Sequence, residues 1–389
     1  IKTISYKGNE KTKETFLGHL AKDQAVNEPY NEFKFANDFK RLQASNYFSS
    51  VTRTVKPSTD ASGGYDLQIG LVEKRTASVG LGGGVNSTAG IFGNASLNLG
   101  NLRGKGETLN VTALLGSGFG AAQTIRDRSR LVRNSNTTQV SANYSMPYFL
   151  DSDYGFNTFV NLSKGPNFNV DLSRQTAFGG GFGLSRVVGR NHVFRLNTTG
   201  NYIDIQDKDR KEYLDEVTDN IIRIDNLSPR DILKKKGEKF TGGARGIARA
   251  EAKELRDGQI VSGVYLGIKP SYTYNKLDDR QNPRDGWKTR INAEPVYGFG
   301  DISSFTKLDG SATKYLPIGK ESSFLLNFRG GSQLLGDIPQ FAIYRLGTAS
   351  GIRGYRQFSE LGVGSHLAIT TAEFRTPIYH VIPPLKKYN

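Results

Sequence analysis

The chain has 389 residues and not one cysteine. That excludes a disulfide framework, a thiolate nucleophile and a zinc–thiolate site. No run of about 20 apolar residues occurs, so no transmembrane helix is encoded, and mean hydropathy is −0.47. No signal peptide is visible, and the first residue already lies in a strand-like segment, so the chain reads as an excised or mature fragment. Histidine is scarce: His19, His192, His366 and His380 are far apart and share no ligand spacing. Asp151-Ser-Asp153 and Asp278-Asp279 are carboxylate pairs in turn contexts, where Asp bonds the backbone. Gly116-Ser-Gly118-Phe-Gly120 lacks the Lys-Ser/Thr and the strand-to-helix setting of a phosphate-cradling loop. The reading is therefore not an enzyme, with no catalytic residue, no metal site and no cofactor.

What the chain does have is 45 Gly, 18 Tyr, 22 Phe and a net charge of +15. A polar average is compatible with a membrane when every second residue of a strand faces a lumen, and small lumen residues with aromatic girdles suit a transmembrane barrel. A basic chain also raises nucleic-acid binding. Here the basic residues are spread along strands and not clustered with exposed aromatics, so no nucleic acid is expected as a partner.

Residues 1–75 read as a separate unit. Ile1 to Lys7 alternates and ends at Gly8-Asn9, a turn signal. Thr12 to Ala21 and Tyr30 to Phe48 have helical spacing, with Phe35, Phe39 and Leu42 on one face. Ser50 to Val55 and Tyr65 to Val72 are short strands, giving the order β-α-α-β-β, and Phe35, Phe39 and Leu42 are expected to pack on Ile4 and Ile69.

From Ala77 the pattern changes to alternating strands. Val140, Ala142, Tyr144, Met146 and Tyr148 alternate with Gln139, Ser141, Asn143 and Ser145. Phe324, Leu326 and Phe328 alternate with Ser323, Leu325, Asn327 and Arg329. About twelve strands are expected, at 77–87, 91–100, 107–117, 138–149, 153–164, 174–187, 192–205, 258–276, 286–298, 301–316, 321–335 and 365–378. Short turns alternate with longer loops, as in outer-membrane barrels. The insertion at 206–257 is charge-dense and reads as a surface loop with a helix near 244–255. A β-sandwich would also alternate, but its strands are nearer 5–6 residues, whereas ten or more residues cross a bilayer at a tilt. Tyr144, Met146, Phe324, Leu326 and Phe328 are expected to face lipid, and Asn143, Asn327 and Arg329 the lumen.

Two motifs remain. Asn282-Pro283-Arg284-Asp285-Gly286 lies in a turn between two strands, and Ile352-Arg353-Gly354-Tyr355 lies in a long polar loop. With the opening unit, they resemble the BamA-like superfamily of outer-membrane protein assembly factors, which includes the mitochondrial sorting-assembly barrel, the chloroplast import channel and two-partner secretion transporters. Residues 1–75 resemble a polypeptide-transport-associated (POTRA) domain, including Asn46-Tyr47-Phe48 and Val51. Residues 76–389 resemble its barrel. Asn282, Pro283 and Gly286 match the periplasmic Asn-Pro-x-x-Gly turn, and Ile352, Arg353, Gly354 and Tyr355 match the signature of loop 6, at about 336–364. Ala372 to Pro377 resembles the strand that follows that loop.

The resemblance implies a β fold: a transmembrane antiparallel barrel of sixteen strands, about twelve of them present here, preceded by one POTRA domain. The chain then looks truncated at both ends. It implies assembly or insertion of β-barrel proteins, client strands being templated at the barrel seam and the POTRA edge. The alternatives are a polypeptide-translocating channel and a passive diffusion pore. Implied partners are unfolded clients, membrane lipid and accessory assembly subunits. The implied location is an outer membrane, bacterial or organellar, with the POTRA domain on the periplasmic or equivalent side. The partner implied for Arg353 is Glu373.

Overall fold

In this computed structural model the described residues are all but 59–62, 87–89, 118–135, 167–172, 280–281, 320, 340, 347–351, 353–361 and 378–389, and all of 208–258 but 214, 249, 250, 252, 253 and 257. Of the helix expected near 244–255, Arg249, Ala250, Ala252 and Lys253 are described and helical, and the rest lies outside the described residues.

The first unit is a three-stranded sheet under two helices. Its elements are β1 (Thr3–Lys7), α1 (Glu14–Leu20), α2 (Glu32–Ala44), β2 (Phe48–Pro57) and β3 (Tyr65–Glu73). The order is β1-β3-β2, with β1 parallel to β3 from Thr3↔Asp66 to Lys7↔Gly70. Helix α2 starts where it does because the Asn31 side chain accepts from the Phe33 and Lys34 N–H groups at 3.0 and 3.2 Å, satisfying two orphan donors of the first turn. Its apolar face buries Phe35 and Leu42 against Leu17, Leu67 and Ile69, with Phe39 and Ile4 packed alongside. Each fully buried side chain of this kind contributes about 1.5–3 kcal/mol. The charge in this core is neutralised locally. Buried Asp38 accepts from the N–H groups of Asp23 and Gln24 at 3.0 and 2.9 Å and pairs with Arg41.

A second, separate sheet follows. Its strands are β4 (Ala77–Asn86), β5 (Gly90–Leu102), β6 (Glu107–Gly116), β7 (Thr137–Met146), β8 (Tyr154–Pro166), β9 (Ser173–Val188), β10 (His192–Asp207), β11 (Ser262–Leu277), β12 (Gly286–Gly300), β13 (Phe305–Ile318), β14 (Ser322–Gly336) and β17 (His366–Arg375). All twelve pair antiparallel in chain order, with β4 and β17 at the edges. The small hairpin of β15 (Tyr344–Leu346) and β16 (Gly362–Gly364) lies between β14 and β17 in sequence.

Several strand ends differ from expectation for local reasons. Strands β7 and β17 stop before Pro147 and Pro377, because proline has no N–H to give a ladder. Strand β11 begins at 262 and β13 at 305, not at 258 and 301. Asp301 instead closes a turn: its N–H donates to the Ser262 carbonyl at 3.1 Å and its carboxylate accepts from the Ser262 N–H at 3.2 Å.

Register divides the sheet into two faces. Val140, Ala142, Tyr144 and Met146 sit opposite Leu162, Val160, Thr158 and Phe156. Leu326 and Phe328 sit opposite Ala372 and Thr370, and Phe324 opposite Phe374. This face is apolar and bare: Leu81 is 83% exposed, Phe182 54% and Phe374 58%. So wide an apolar surface is not stable against water, and it fits hydrocarbon. The opposite face carries Asn143, Asn157, Asn197, Asn327 and Arg329, the composition of a hydrated lumen. Of the Gly179-Gly181 run, the two outer glycines face the lumen by this register and Gly180 the apolar side.

The face assignment is testable. Leu326→Arg puts a charge on the apolar face and should destabilise the barrel by about 2–4 kcal/mol. Asn327 donates to Thr313 Oγ1 at 2.7 Å, so Asn327→Arg should cost about 1 kcal/mol, the worth of that bond. Denaturant unfolding in detergent or vesicles measures both; equal losses would contradict the faces.

Candidate functional site

Connections at one rim are tight. There, Asn282 to Gly286 closes the turn between β11 and β12. Asp278 Oδ1 accepts from the N–H groups of Arg284 and Asp285 at 3.0 Å each, and these bonds hold its carboxyl below the usual range. Asp279 accepts from the Asn282 N–H at 3.0 Å. Gly286 has φ +126°, and a Cβ there would lie 2.1 Å from the Lys276 carbonyl oxygen, so only glycine fits. The Arg284 guanidinium reaches the next turn, donating to the Gly319 carbonyl at 3.3 Å.

The long connection of about 336–364 leaves from the other rim. Its first stretch is fastened to the inner wall. The Tyr344 hydroxyl donates to Asp309 at 2.9 Å, and Lys307 Nζ stands 4.2 Å from the centre of its ring while donating to the Ala342 carbonyl at 3.0 Å. Gly331 makes room: a Cβ there would lie 2.7 Å from the ring. Phe341 stacks on Tyr265 at 5.9 Å, over an apolar cluster of Ile203, Ile205, Val261 and Ile302. Sequence reading missed this anchor, because Tyr344 and its wall partners are set by register and no motif marks them.

Of the loop signature, Ile352 is described and half-buried; Arg353, Gly354 and Tyr355 lie outside the described residues. Glu373 is on the lumen face of β17, opposite Leu325, and accepts from Arg375 Nε at 3.1 Å. Glu373 and the Asn282–Gly286 turn are both toward the tight-turn rim, at the far end of the strands from the loop's base. Among the described residues no group of three or more His, Asp or Glu could hold a metal ion. Three of the histidines serve locally: His19 stacks on Tyr148, His192 bonds Tyr272 and His366 bonds Ser332.

The same tight rim meets the first unit. Lys13 N–H donates to the Gly104 carbonyl at 2.9 Å, Tyr47 OH to the Gly106 carbonyl at 3.1 Å and Asn101 Nδ2 to Thr12 Oγ1 at 2.8 Å. Phe16 packs edge-on to Tyr148 at 5.9 Å, and Lys22 pairs with Asp153 at 3.0 Å. Glu73 binds the joint from within: it accepts from the Thr12 hydroxyl at 2.5 Å, the Thr12 N–H at 2.7 Å and the Lys11 N–H at 3.1 Å. Burial works to raise its pKa, but these hydrogen bonds outweigh it and hold the carboxyl below the ordinary value.

A mixed unit of this order joined to an antiparallel sheet with an apolar outer face is a combination that known proteins share. Residues 101–385 match the Omp85 superfamily domain. The chain belongs to the Omp85 superfamily. Residues 1–74 match the POTRA model, described as a surface antigen variable number repeat. The outer membrane protein assembly factor BamA of Neisseria meningitidis serogroup B is 22% identical over 366 residues, covering 91% of this chain and 39% of the relative. The chain thus spans well under half of that protein. Among solved structures, BamA from Haemophilus ducreyi lacking POTRA domains 1–3 aligns with TM-score 0.59 and 15% identity, covering 91% of this chain and 59% of that one. CdiB from Escherichia coli aligns with TM-score 0.55 and 14% identity, covering 96% and 61%. These likenesses show the fold: a transmembrane β-barrel of the Omp85 type with a POTRA domain before it.

Two outcomes follow for this Omp85 chain. Because the pKa of Glu73 is lowered on folding, its contribution is full above the unfolded carboxyl pKa and is lost as pH falls through the folded one. Protection factors of the Lys11 and Thr12 amides, taken relative to the intrinsic exchange rate at each pH, should therefore fall on acidification, and Glu73→Gln should remove that dependence and destabilise the POTRA domain by about 1–3 kcal/mol. Separately, Gly331→Val should expel the Tyr344 ring. Protease should then cut the 337–346 segment faster while the barrel strands stay protected; unchanged cutting would mean the anchor does not hold the loop.

Proposed function

We propose that this protein assembles or inserts β-barrel proteins at an outer membrane, bacterial or organellar, with its POTRA domain on the periplasmic or equivalent side. In this reading residues 1–75 are the POTRA domain, 76–389 the barrel and about 336–364 its loop 6. The observation that carries it is the edge strand β4, which has Gly80, Gly82, Gly83 and Gly84 among its ten residues and pairs on one side only among the described residues. Glycine weakens a strand, and an open edge offers N–H and C=O groups to an incoming strand. The outer edge of β2 in the POTRA sheet would engage extended clients the same way. Accessory subunits are expected to share the work.

Arg353 is proposed to pin loop 6 inside the lumen through Glu373. By strand rise, Glu373 lies about 23 Å along β17 from His366. Arg353 is the seventh residue after Leu346, an extended reach of about 23–25 Å. The loop is therefore long enough for the guanidinium to meet Glu373, where a planar fork suits a carboxylate. Gly354 lets the backbone approach the wall, and Tyr355 packs the tip. Arg353→Lys should then lower activity several-fold, since an ammonium does not reproduce the fork. Retention of full activity by Arg353→Lys and Arg353→Ala would remove the pair from the account.

The likeness to CdiB and the polar lumen wall favour a second reading, a channel that passes an unfolded polypeptide. Reconstitution separates the two. Insertion predicts that vesicles holding the full-length protein speed the folding of an outer-membrane barrel client. Client protection inside the vesicle without faster folding would instead support translocation.

A further inference from the structure

The +15 charge is not used by either reading. At the joint between the POTRA domain and β4, a cleft of about 290 Å³ is lined by Lys11, Tyr47, Glu73, Lys74, Arg75 and Asn101, with Thr76 and Ala77 completing it. Nearly every neutral or acidic group in it is already engaged. Glu73 accepts from Lys11 and Thr12. Tyr47 donates to Gly106 and Thr76 to Gly100. Asn101 donates to Thr12 and accepts from the Gly106 N–H. What is left unmatched is cationic: Lys74 and Arg75 are exposed and form no ion pair among the described residues, while exposed Lys11 already faces the charge of Glu73. A ligand for this cleft must bring acceptors and negative charge.

Position narrows the class further. Arg75 precedes by four residues Val79, the first bare apolar side chain of β4, 73% exposed. That is at most about 13 Å along a strand, and Ala77 at the cleft's inner end is only about 7 Å from Val79, so the cleft reaches the headgroup layer, roughly 5–8 Å thick outside the hydrocarbon. The same rim pairs cations with aromatics on the lipid side: Arg186 over Tyr154 at 5.0 Å and Lys314 over Trp287 at 5.3 Å. Those cations are committed to rings, whereas Lys74 and Arg75 are not.

We propose that this cleft binds the phosphate of an anionic phospholipid headgroup, Lys74 and Arg75 supplying the charge and Lys11 closing the third side. A lipid held there fixes the joint of the POTRA domain to the membrane surface beside the first strand. The chemistry is that of a phosphate anion, and the lipid is distinguished from free phosphate by depth: its acyl chains lie along Val79 and Leu81.

The test is native mass spectrometry of the full-length protein released from nanodiscs of phosphatidylglycerol and phosphatidylcholine. Heat-dependent gel mobility reports that the barrel is inserted, so failure of the barrel reading is seen separately. Lys74→Gln/Arg75→Gln should retain one phosphatidylglycerol fewer, with affinity lowered about thirtyfold from the loss of two charges at an anionic surface, and unchanged phosphatidylcholine. The charge-preserving Lys74→Arg/Arg75→Lys should keep the lipid. Equal phosphatidylglycerol retention by the Gln variant would overturn the site. Full displacement by inorganic phosphate would assign the cleft to free phosphate and overturn the lipid assignment.

Discussion

Hydrocarbon offers no partner to a backbone N–H or carbonyl, and each group left alone there costs several kcal/mol. That constraint governs the whole of the second sheet. Its strands run antiparallel in chain order so that every interior ladder is closed, most of its exposed large apolar side chains stand on one face, and its asparagines are gathered on the other. The constraint also makes the edges the energetic weak points. Glycine-rich β4 is an edge of the twelve-stranded sheet among the described residues, and in the proposed function that weakness is what a client strand uses.

Around the sheet, two fixed contacts limit what can move. At one rim, Glu73 ties the POTRA chain to itself through Thr12, and Thr12 to Asn101 of the barrel. At the other, Tyr344 and Phe341 fasten the base of the long loop to the inner wall. These contacts fix the first stretch of the loop, and the Ile352–Tyr355 signature follows that stretch in sequence. Positioning of Arg353 is thus proposed to begin with Tyr344, nine residues before it in the sequence.

Much of this was legible in the sequence because barrel strands have period two and the faces follow from it. Val140 to Met146 and Phe324 to Phe328 alternate visibly, and the register puts them on the exposed side. The helix face of Phe35, Phe39 and Leu42 was equally plain, being a local i, i+4, i+7 pattern. Strand ends were less legible where a side chain decides them, as Asp301 does in capping the start of β11. The joint and the loop anchor could not be read at all. Phe16 and Tyr148, or Tyr344 and Gly331, meet only through the three-dimensional path of the chain, and neither pair has a spacing that announces it.

The central claim is that an incoming strand pairs with the edge of β4. The absence of cysteine allows single sites to be placed without background. Leu81→Cys on β4 and Phe182→Cys on β9 both put a thiol on the exposed outer face. A stalled barrel client carrying one cysteine in its terminal strand should form a disulfide with position 81, strongest at alternate client positions, and none with position 182. Equal crosslinking at both sites, or none at position 81 while the client still assembles, would contradict the account.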